Sequence, residues 1–233
     1  MKMYASILKI NIINRLQYRS SALVGAFGQV LWALMEILTY LAFYKTNSNS
    51  FPMTIEQAIS YVWMKQTFLA FYMSWFLDSN ILNSIISGNV SYELVRPVNL
   101  YNYWFIKSVS LRLSRALSNC FVLLSCALIM PKPYRIVLPT NPKVFMGFII
   151  SIGLSLCVVV AYGMFIYIFS FYTISSSGIR VIAGIMSEFL MGAVIPIPFF
   201  PNNIRKLVDM LPFAAMQNIP FRIYSGHITT NEI

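Results

Sequence analysis

The chain has 233 residues, of which 58% are hydrophobic and only 10% are charged, and its mean hydropathy is +0.68. Soluble globular proteins carry about 25% charged residues, so this composition excludes a soluble domain and indicates an integral membrane protein. The net charge is +10, but the basic residues are scattered and form no dense patch of the kind that follows a nucleic-acid backbone. We therefore expect no nucleic-acid partner.

Residues 1–20 are predicted to form an amphipathic helix that lies in the membrane interface. Apolar residues recur at helical spacing among basic ones, the apolar set being Ile7, Leu8, Ile12 and Leu16 and the basic set Lys2, Lys9, Arg15 and Arg19. The alternative, a cleaved signal peptide, is disfavoured because the next apolar run is too long and no small-residue cleavage site closes it.

Five later segments are apolar enough to cross a bilayer, whose hydrocarbon core needs about 20 helical residues. These segments are residues 21–43, 59–77, 108–130, 144–172 and 181–200. Residues 201–226 should follow as short interfacial helices, because prolines interrupt that stretch. The sequence thus predicts an all-α, polytopic transmembrane helix bundle with five spans in a single transmembrane domain, residues 21–230.

Basic residues near the ends of the spans indicate the orientation. The N-terminal segment has four of them and no acidic residue, and Arg96, Lys107 and Arg180 fall on the same side of the predicted topology. Three others argue against this assignment because they fall on the opposite side: Lys132, Arg135 and Lys143. We expect a multi-pass protein with a cytoplasmic N-terminus.

No catalytic or nucleotide-binding motif is present in the sequence. The patterns GxxxxGK[ST], GxGxxG, HExxH and GxSxG do not occur, and the single histidine is His227. We therefore predict no catalytic, cofactor or metal site and no enzymatic activity. If the protein uses ATP and Mg²⁺, a partner subunit binds them.

Three ionisable residues lie within the predicted spans, where a charge costs about 2.5–3.5 kcal/mol and needs a partner. Glu36 and Lys65 fall at similar depths in an antiparallel pair of spans, so we predict that they face each other or share a polar network. They would form either a structural ion pair or part of a substrate path. Glu188 could face a subunit interface, a wet cavity or Arg115.

Arg112 and Arg115 lie one turn apart near the start of the third predicted span. Long basic side chains at such positions commonly extend along the helix to reach lipid headgroups. We expect both arginines to do so.

Residues 78–97 are too short and too polar to span the membrane. Ile81, Ile85 and Ile86 form an apolar stripe, Gly88 is a natural helix stop, and Pro97 ends the segment. The segment is either a surface helix that merely links two spans or an amphipathic element that docks into a groove of a soluble partner.

Two stretches resemble the permease subunits of ABC exporters in the ABC-2 type superfamily, in particular small bacterial permeases of about six spans. In SGNVSYELVRPVNLYNYW, the family's pattern of glycine, leucine, basic residue and proline is matched by Gly88, Leu94, Arg96 and Pro97. The family's outer hairpin is resembled by PFFPNNIRKLVDMLPFAAMQNIPFRIYSG, with Phe200, Pro201, Leu211, Pro212, Phe213, Pro220, Tyr224 and Gly226 at matching places.

The resemblance implies a membrane-spanning subunit in a bacterial plasma membrane, paired with a second permease and with soluble ABC ATPase subunits. It implies a coupling helix within 78–97 that contacts the ATPase, which gives as docking residues Ile81, Ile85, Ile86, Gly88, Leu94, Arg96 and Pro97. Family members usually continue into a sixth span, whereas this sequence ends at Ile233 after a polar stretch; the sixth helix is expected to be missing by truncation, absent, or supplied by another polypeptide.

The function expected from these features is ATP-driven export of a hydrophobic or amphiphilic substrate. A non-transporting membrane scaffold is the alternative. A proton-coupled secondary carrier that uses Glu36 or Glu188 is a third possibility.

Overall fold

The computed structural model describes residues 2–17, 19–46, 51–139, 141–173 and 176–226, and all regular structure in these ranges is helical. The helices are α1 Lys2–Gln17, α2 Arg19–Thr46, α3 Ile55–Thr67, α4 Leu69–Tyr72, α5 Ser79–Ile86, α6 Val90–Leu94, α7 Leu100–Ile129, α8 Pro142–Tyr172, α9 Ser176–Leu190, α10 Asn202–Asp209, α11 Pro212–Met216 and α12 Asn218–Tyr224, with a 3-10 turn at Ile197–Phe199. The all-α prediction is confirmed.

Three of the described helices are long and apolar enough to cross a membrane: α2 from Leu23 onward, α7 and α8. The starts of α7 and α8 follow from local capping. Asn99 caps α7 by accepting the Asn102 amide at 3.0 Å, so this helix begins eight residues before the predicted span at 108. Asn141 caps α8 in the same way, and Pro142 occupies its first turn.

The second predicted span, 59–77, differs in the structure. Its helix α3 begins at Ile55, after a Thr54–Gln57 capping box, and is interrupted at Phe68 before the short helix α4. Every residue from Ala58 to Thr67 is buried within the protein. At 1.5 Å per residue, α3 is about 20 Å long. Because nearly all of its residues are buried, α3 is a core helix surrounded by other helices.

The fifth predicted span, 181–200, also differs, because α9 ends at Leu190. Gly192 follows with a φ of +80°, and a β-carbon there would lie 3.1 Å from the backbone nitrogen of Ile197. This left-handed residue and the nearby Pro196 and Pro198 prevent the helix from continuing.

Residues 201–226 form α10, α11 and α12, and their interfacial placement stays a prediction. The last of these helices, α12, packs against the core of the protein. Its residues are mostly buried, and the segment is held by polar contacts to the core. The Gln217 side-chain amide donates to the Tyr61 hydroxyl at 2.9 Å, and the Ser155 hydroxyl donates to the Met216 carbonyl. The segment therefore folds back between α3 and α8. The polar stretch 227–233, which includes His227, lies outside the described residues.

Helix α8 connects two ends of the molecule. Near its start, the Phe148 ring contacts the Tyr224 ring of α12, with centroids 5.2 Å apart. Near its end, the Tyr167 ring contacts Trp104 at 5.9 Å and lies against α5. Nineteen helical residues separate these contacts, which is about 28 Å and close to the thickness of a hydrocarbon core. The 78–97 segment and the end of α12 thus lie at opposite ends of α8, whereas α11 contacts the middle of α8, with the Phe213 and Tyr162 ring centroids 5.3 Å apart.

The expectation that Arg112 extends to lipid headgroups is wrong. Its side chain is only 2% exposed, and Nη1 donates to the carbonyls of Ala70, Phe71 and Met73 at 3.1, 3.3 and 2.7 Å. The Ala70 and Phe71 carbonyls have lost their helical partners where α4 ends, so the guanidinium replaces them, while the Met73 carbonyl also accepts the Phe76 amide at 3.4 Å. Arg115 lies over the Phe76 ring, 4.7 Å from its centroid, in a cation–π contact.

We expect Arg112→Leu to destabilise the protein by about 3 kcal/mol or more, because it leaves the Ala70 and Phe71 carbonyls without a donor and removes the shortest hydrogen bond to the Met73 carbonyl. Thermal unfolding of the purified protein in detergent measures this effect, and Arg112→Lys should recover part of it. Arg135→Leu, which removes an exposed arginine, is the matched control. Equal melting temperatures for the two leucine variants would contradict the assigned role.

Candidate functional site

Residues 78–97, here called the coupling segment, form two short helices joined by a tight turn. Asp78 caps α5 by accepting the Asn80 amide at 2.8 Å. Gly88 has a φ of +74°, which L residues with side chains rarely adopt, and this turn separates α5 from α6. The predicted helix stop at Gly88 is therefore present, and the segment continues beyond it as a second helix.

One face of the coupling segment is buried against its own chain. Ile81 and Ile85 are 1% and 8% exposed and belong to an apolar cluster with Trp104 of α7 and with Met164 and Tyr167 of α8. The sequence suggested these two isoleucines as docking residues, but their burial in this structure prevents them from contacting a partner. The stripe is apolar as predicted, but residue spacing alone does not indicate that it packs against α7 and α8.

The opposite face of the segment is exposed. Of the predicted docking residues, Ile86 and Leu94 are each 65% exposed, and Gly88, Arg96 and Pro97 are exposed as well. The structure adds two large side chains that sequence reasoning did not single out, Tyr92 at 75% and Val95 at 85% exposure. Both residues could have been predicted from the sequence, because they lie near Leu94 in the stretch that resembles the family. Contact of this surface with an ATPase stays a prediction.

Polar contacts join both helices of the segment to the long helices. Lys107 Nζ of α7 lies 3.1 Å from Asp78 Oδ2, and the Asp78 amide donates to the Tyr167 hydroxyl of α8 at 2.8 Å. The Trp104 indole donates to Glu93 Oε2 of α6 at 2.7 Å. A displacement of the coupling segment would therefore act on α7 and α8 directly.

The predicted pairing of Glu36 and Lys65 is confirmed. Lys65 Nζ donates to Glu36 Oε1, which also accepts the Tyr40 hydroxyl at 3.3 Å. A second acceptor, the Ala193 carbonyl, lies 3.4 Å from Nζ. The lysine thus joins α3 to α2 and to the irregular chain after α9. The contact itself is consistent with both expected roles, a structural ion pair and a component of a substrate path.

Glu188 lies on α9 at the edge of a cavity of about 500 Å³ that Arg180 and Phe76 also line. It is partly exposed there. Whether this carboxylate faces a subunit interface, a wet cavity or Arg115 stays a prediction. In the ranges that the structure describes, no group of three or more His, Cys, Asp or Glu side chains could hold a metal ion.

We expect Glu36→Gln to destabilise the protein by about 3–5 kcal/mol, because it leaves the Lys65 ammonium buried without its counter-charge. The double variant Glu36→Gln/Lys65→Met removes both charges and should melt closer to the original protein than the single variant does. Thermal unfolding in detergent measures both. Glu56→Gln, an exposed position on α3, controls for the amide substitution. A double variant less stable than the single one would contradict the pairing.

Comparison with known proteins returned a family match but no individual relative. The family model described as ABC-2 family transporter protein matches residues 30–233. Neither the search of curated proteins nor that of solved structures gave a match. Because the family model covers most of the sequence, including the coupling segment and the long helices, the chain belongs to the ABC-2 family of transporter proteins and is a permease of the ABC-2 type.

Proposed function

We propose that this protein is the membrane-spanning subunit of an ATP-driven exporter whose ATP is hydrolysed by a separate subunit. The observation that carries the proposal is the coupling segment. It exposes an apolar and basic surface at one end of α8, and salt-bridge and hydrogen-bond contacts attach it to α7 and α8. The sequence itself has no phosphate-binding loop. A soluble ATPase is the partner that this combination favours.

In the proposed arrangement, the coupling segment faces the cytoplasm of a bacterial cell and residues 201–226 face the outside. The coupling segment and the end of α12 lie about 28 Å apart along α8, which supports their placement on opposite faces of the plasma membrane. The α3–α4 pair and α9 would complete five membrane-embedded segments. The interfacial placement of α1, which packs along α7, is part of the same proposal.

The proposed mechanism needs a second permease copy or a related permease, with the substrate moving outward between the two. The outer face of α2 is open in the single chain: Phe27, Leu31 and Trp32 are each more than 60% exposed. Such a face requires lipid or another apolar helix against it. ATP binding on the partner would move the coupling segment, and Asp78 and Glu93 would transfer this movement to the long helices.

We expect Ile86→Asp and Leu94→Asp each to reduce co-purification with the ATPase at least about tenfold, because a carboxylate replaces an exposed apolar contact in the docking surface. The ATPase to test is the product of a neighbouring reading frame that carries GxxxxGK[ST]. The matched control is Leu207→Asp on α10, which is 68% exposed. Size-exclusion profiles establish that all three variants fold.

Three outcomes would contradict the proposal. Absence of any co-purifying ATPase would remove the partner, and transport that survives ATP depletion would indicate a proton-coupled carrier. Docking variants that lose assembly while efflux is unchanged would instead indicate a scaffold.

We expect Lys107→Met to leave ATPase binding intact but to lower permease-dependent ATP turnover about threefold or more. It removes the ion pair between Asp78 and α7 without changing the exposed docking surface. Paired measurements of binding affinity and ATP hydrolysis in proteoliposomes separate the two effects. Lys143→Met, at an exposed lysine of α8, is the control. Unchanged ATP turnover in the Lys107 variant would show that the pair does not transfer movement.

A further inference from the structure

A cavity of about 850 Å³ opens beside α2, α3 and the chain that follows α9. Its volume lies within the range of small-molecule binding sites, which are usually apolar with a few polar groups at fixed positions. The walls are mostly aromatic and aliphatic, and the Glu36–Lys65 pair lies among the lining residues. The cavity therefore combines an apolar body with a charged end.

The aromatic part of the cavity is built from rings that hold one another in place. Tyr40 stacks on Phe199 with centroids 5.9 Å apart and an interplanar angle of 7°. Phe51 meets the edge of both rings, at 6.2 and 5.0 Å. Trp32 also lines the cavity and is 66% exposed. This wall suits a flat or elongated apolar group, and ring faces also attract cations.

The Glu36 carboxylate has one oxygen available to the cavity. Lys65 and Tyr40 both donate to Oε1, and no donor in the described part of the chain is hydrogen-bonded to Oε2. Oε2 is also absent from the buried side-chain atoms without a partner, so it is open to the cavity that Glu36 lines. A carboxylate oxygen only accepts hydrogen bonds. It would bind a ligand N–H and favour a positively charged one.

A second polar group points to the same cavity. Gln66 lines the cavity, its side-chain amide has no hydrogen-bond partner among the described residues, and the amide atoms are not among the buried side-chain atoms without a partner, so the amide is open to the cavity. An accessible amide without a protein partner can donate a hydrogen bond to a ligand or accept one from it. Gln66 follows Lys65 directly on α3, whereas Glu36 comes from α2, so the polar groups of the cavity come from two neighbouring helices.

Charge accessibility decides which ligand charge the site prefers. The Lys65 side chain is 7% exposed and already contacts Glu36 and the Ala193 carbonyl, whereas the Glu36 side chain is 20% exposed. An incoming anion would have to reach the less accessible partner, but an incoming cation meets Oε2. The site as a whole is electrically neutral, so the preference comes from geometry rather than from net charge.

We infer that this cavity binds an amphiphile with a protonated amine, with its apolar body against the aromatic wall and its ammonium on Glu36 Oε2. Gln66 would accept or donate a further hydrogen bond to the ligand head. The inference rests on the proposed function, since it names the substrate class that the permease would move. The site lies within the part of the chain that is embedded in the membrane, where an amphiphile can enter from the lipid.

The test measures binding to the full permease in lipid nanodiscs, without an ATPase. The probes are a matched pair with one fluorophore: N-dansyl-1,10-diaminodecane, which is cationic, and 11-(dansylamino)undecanoic acid, which is anionic. Energy transfer from tryptophan to dansyl reports occupancy, because Trp32 lines the cavity, and empty nanodiscs correct for partition into lipid. We expect the amine to bind at least about tenfold more tightly than the acid.

The variants locate the preference. Glu36→Gln/Lys65→Met should abolish it, and Gln66→Leu, which leaves the ion pair intact, should weaken amine binding about threefold. Glu56→Gln should leave it unchanged. Equal affinity for the two probes, preference for the acid, or an unaltered preference in both cavity variants would overturn the inference.

The two proposals can fail separately. ATP turnover coupled to the permease, together with no amine preference, would overturn the ligand class alone. Glu36-dependent amine binding by a permease that never associates with an ATPase would support the cavity and overturn the proposed exporter.

Discussion

The interruption of α3 and α4 creates a requirement on which much of the structure depends. A helix that stops inside a membrane protein leaves carbonyls that water cannot reach, and these need an internal donor. Arg112 supplies it from α7 and so fixes α7 against the end of α4. The same helix carries Trp104 and Lys107, which hold the coupling segment. The position of the proposed docking surface thus depends in part on the hydrogen bonds that the end of α4 requires.

Lys65 is a second buried cation that contacts a backbone carbonyl at the end of a broken helix, but it also pairs with a carboxylate. Its ammonium contacts Glu36 and also the Ala193 carbonyl, in the irregular chain that follows the early end of α9. Both broken segments are therefore served by a buried cation. Among the described residues, Nη1 of Arg112 donates only to backbone carbonyls, whereas Lys65 shares a carboxylate that remains open on one side. That difference is why the second arrangement, and not the first, borders a cavity suited to a ligand.

Hydropathy and charge predicted some elements well, for clear physical reasons. The apolar runs of α2 and α8 matched their helices to within a few residues, and Glu36 met Lys65 because charges in spans need partners at countable depths. Hydropathy cannot tell lipid from protein surroundings, so the burial of α3 and of Arg112 was not predictable. The role of Gln66 was not predicted, because an uncharged amide in an apolar run carries no charge that demands a partner. Only the structure shows that this amide lines the cavity without a hydrogen-bond partner among the described residues.

The continuity of α8 has a mechanical consequence. It has no break between Phe148 and Tyr167, and it is in contact with α5 at one end and with α12 at the other. An uninterrupted helix transmits tilt and rotation along its axis because its hydrogen-bonded turns cannot shift independently. Helix α8 thus connects the two surfaces of the protein as one rigid element. A tilt of a few degrees at one surface becomes a displacement of about an ångström or more at the other.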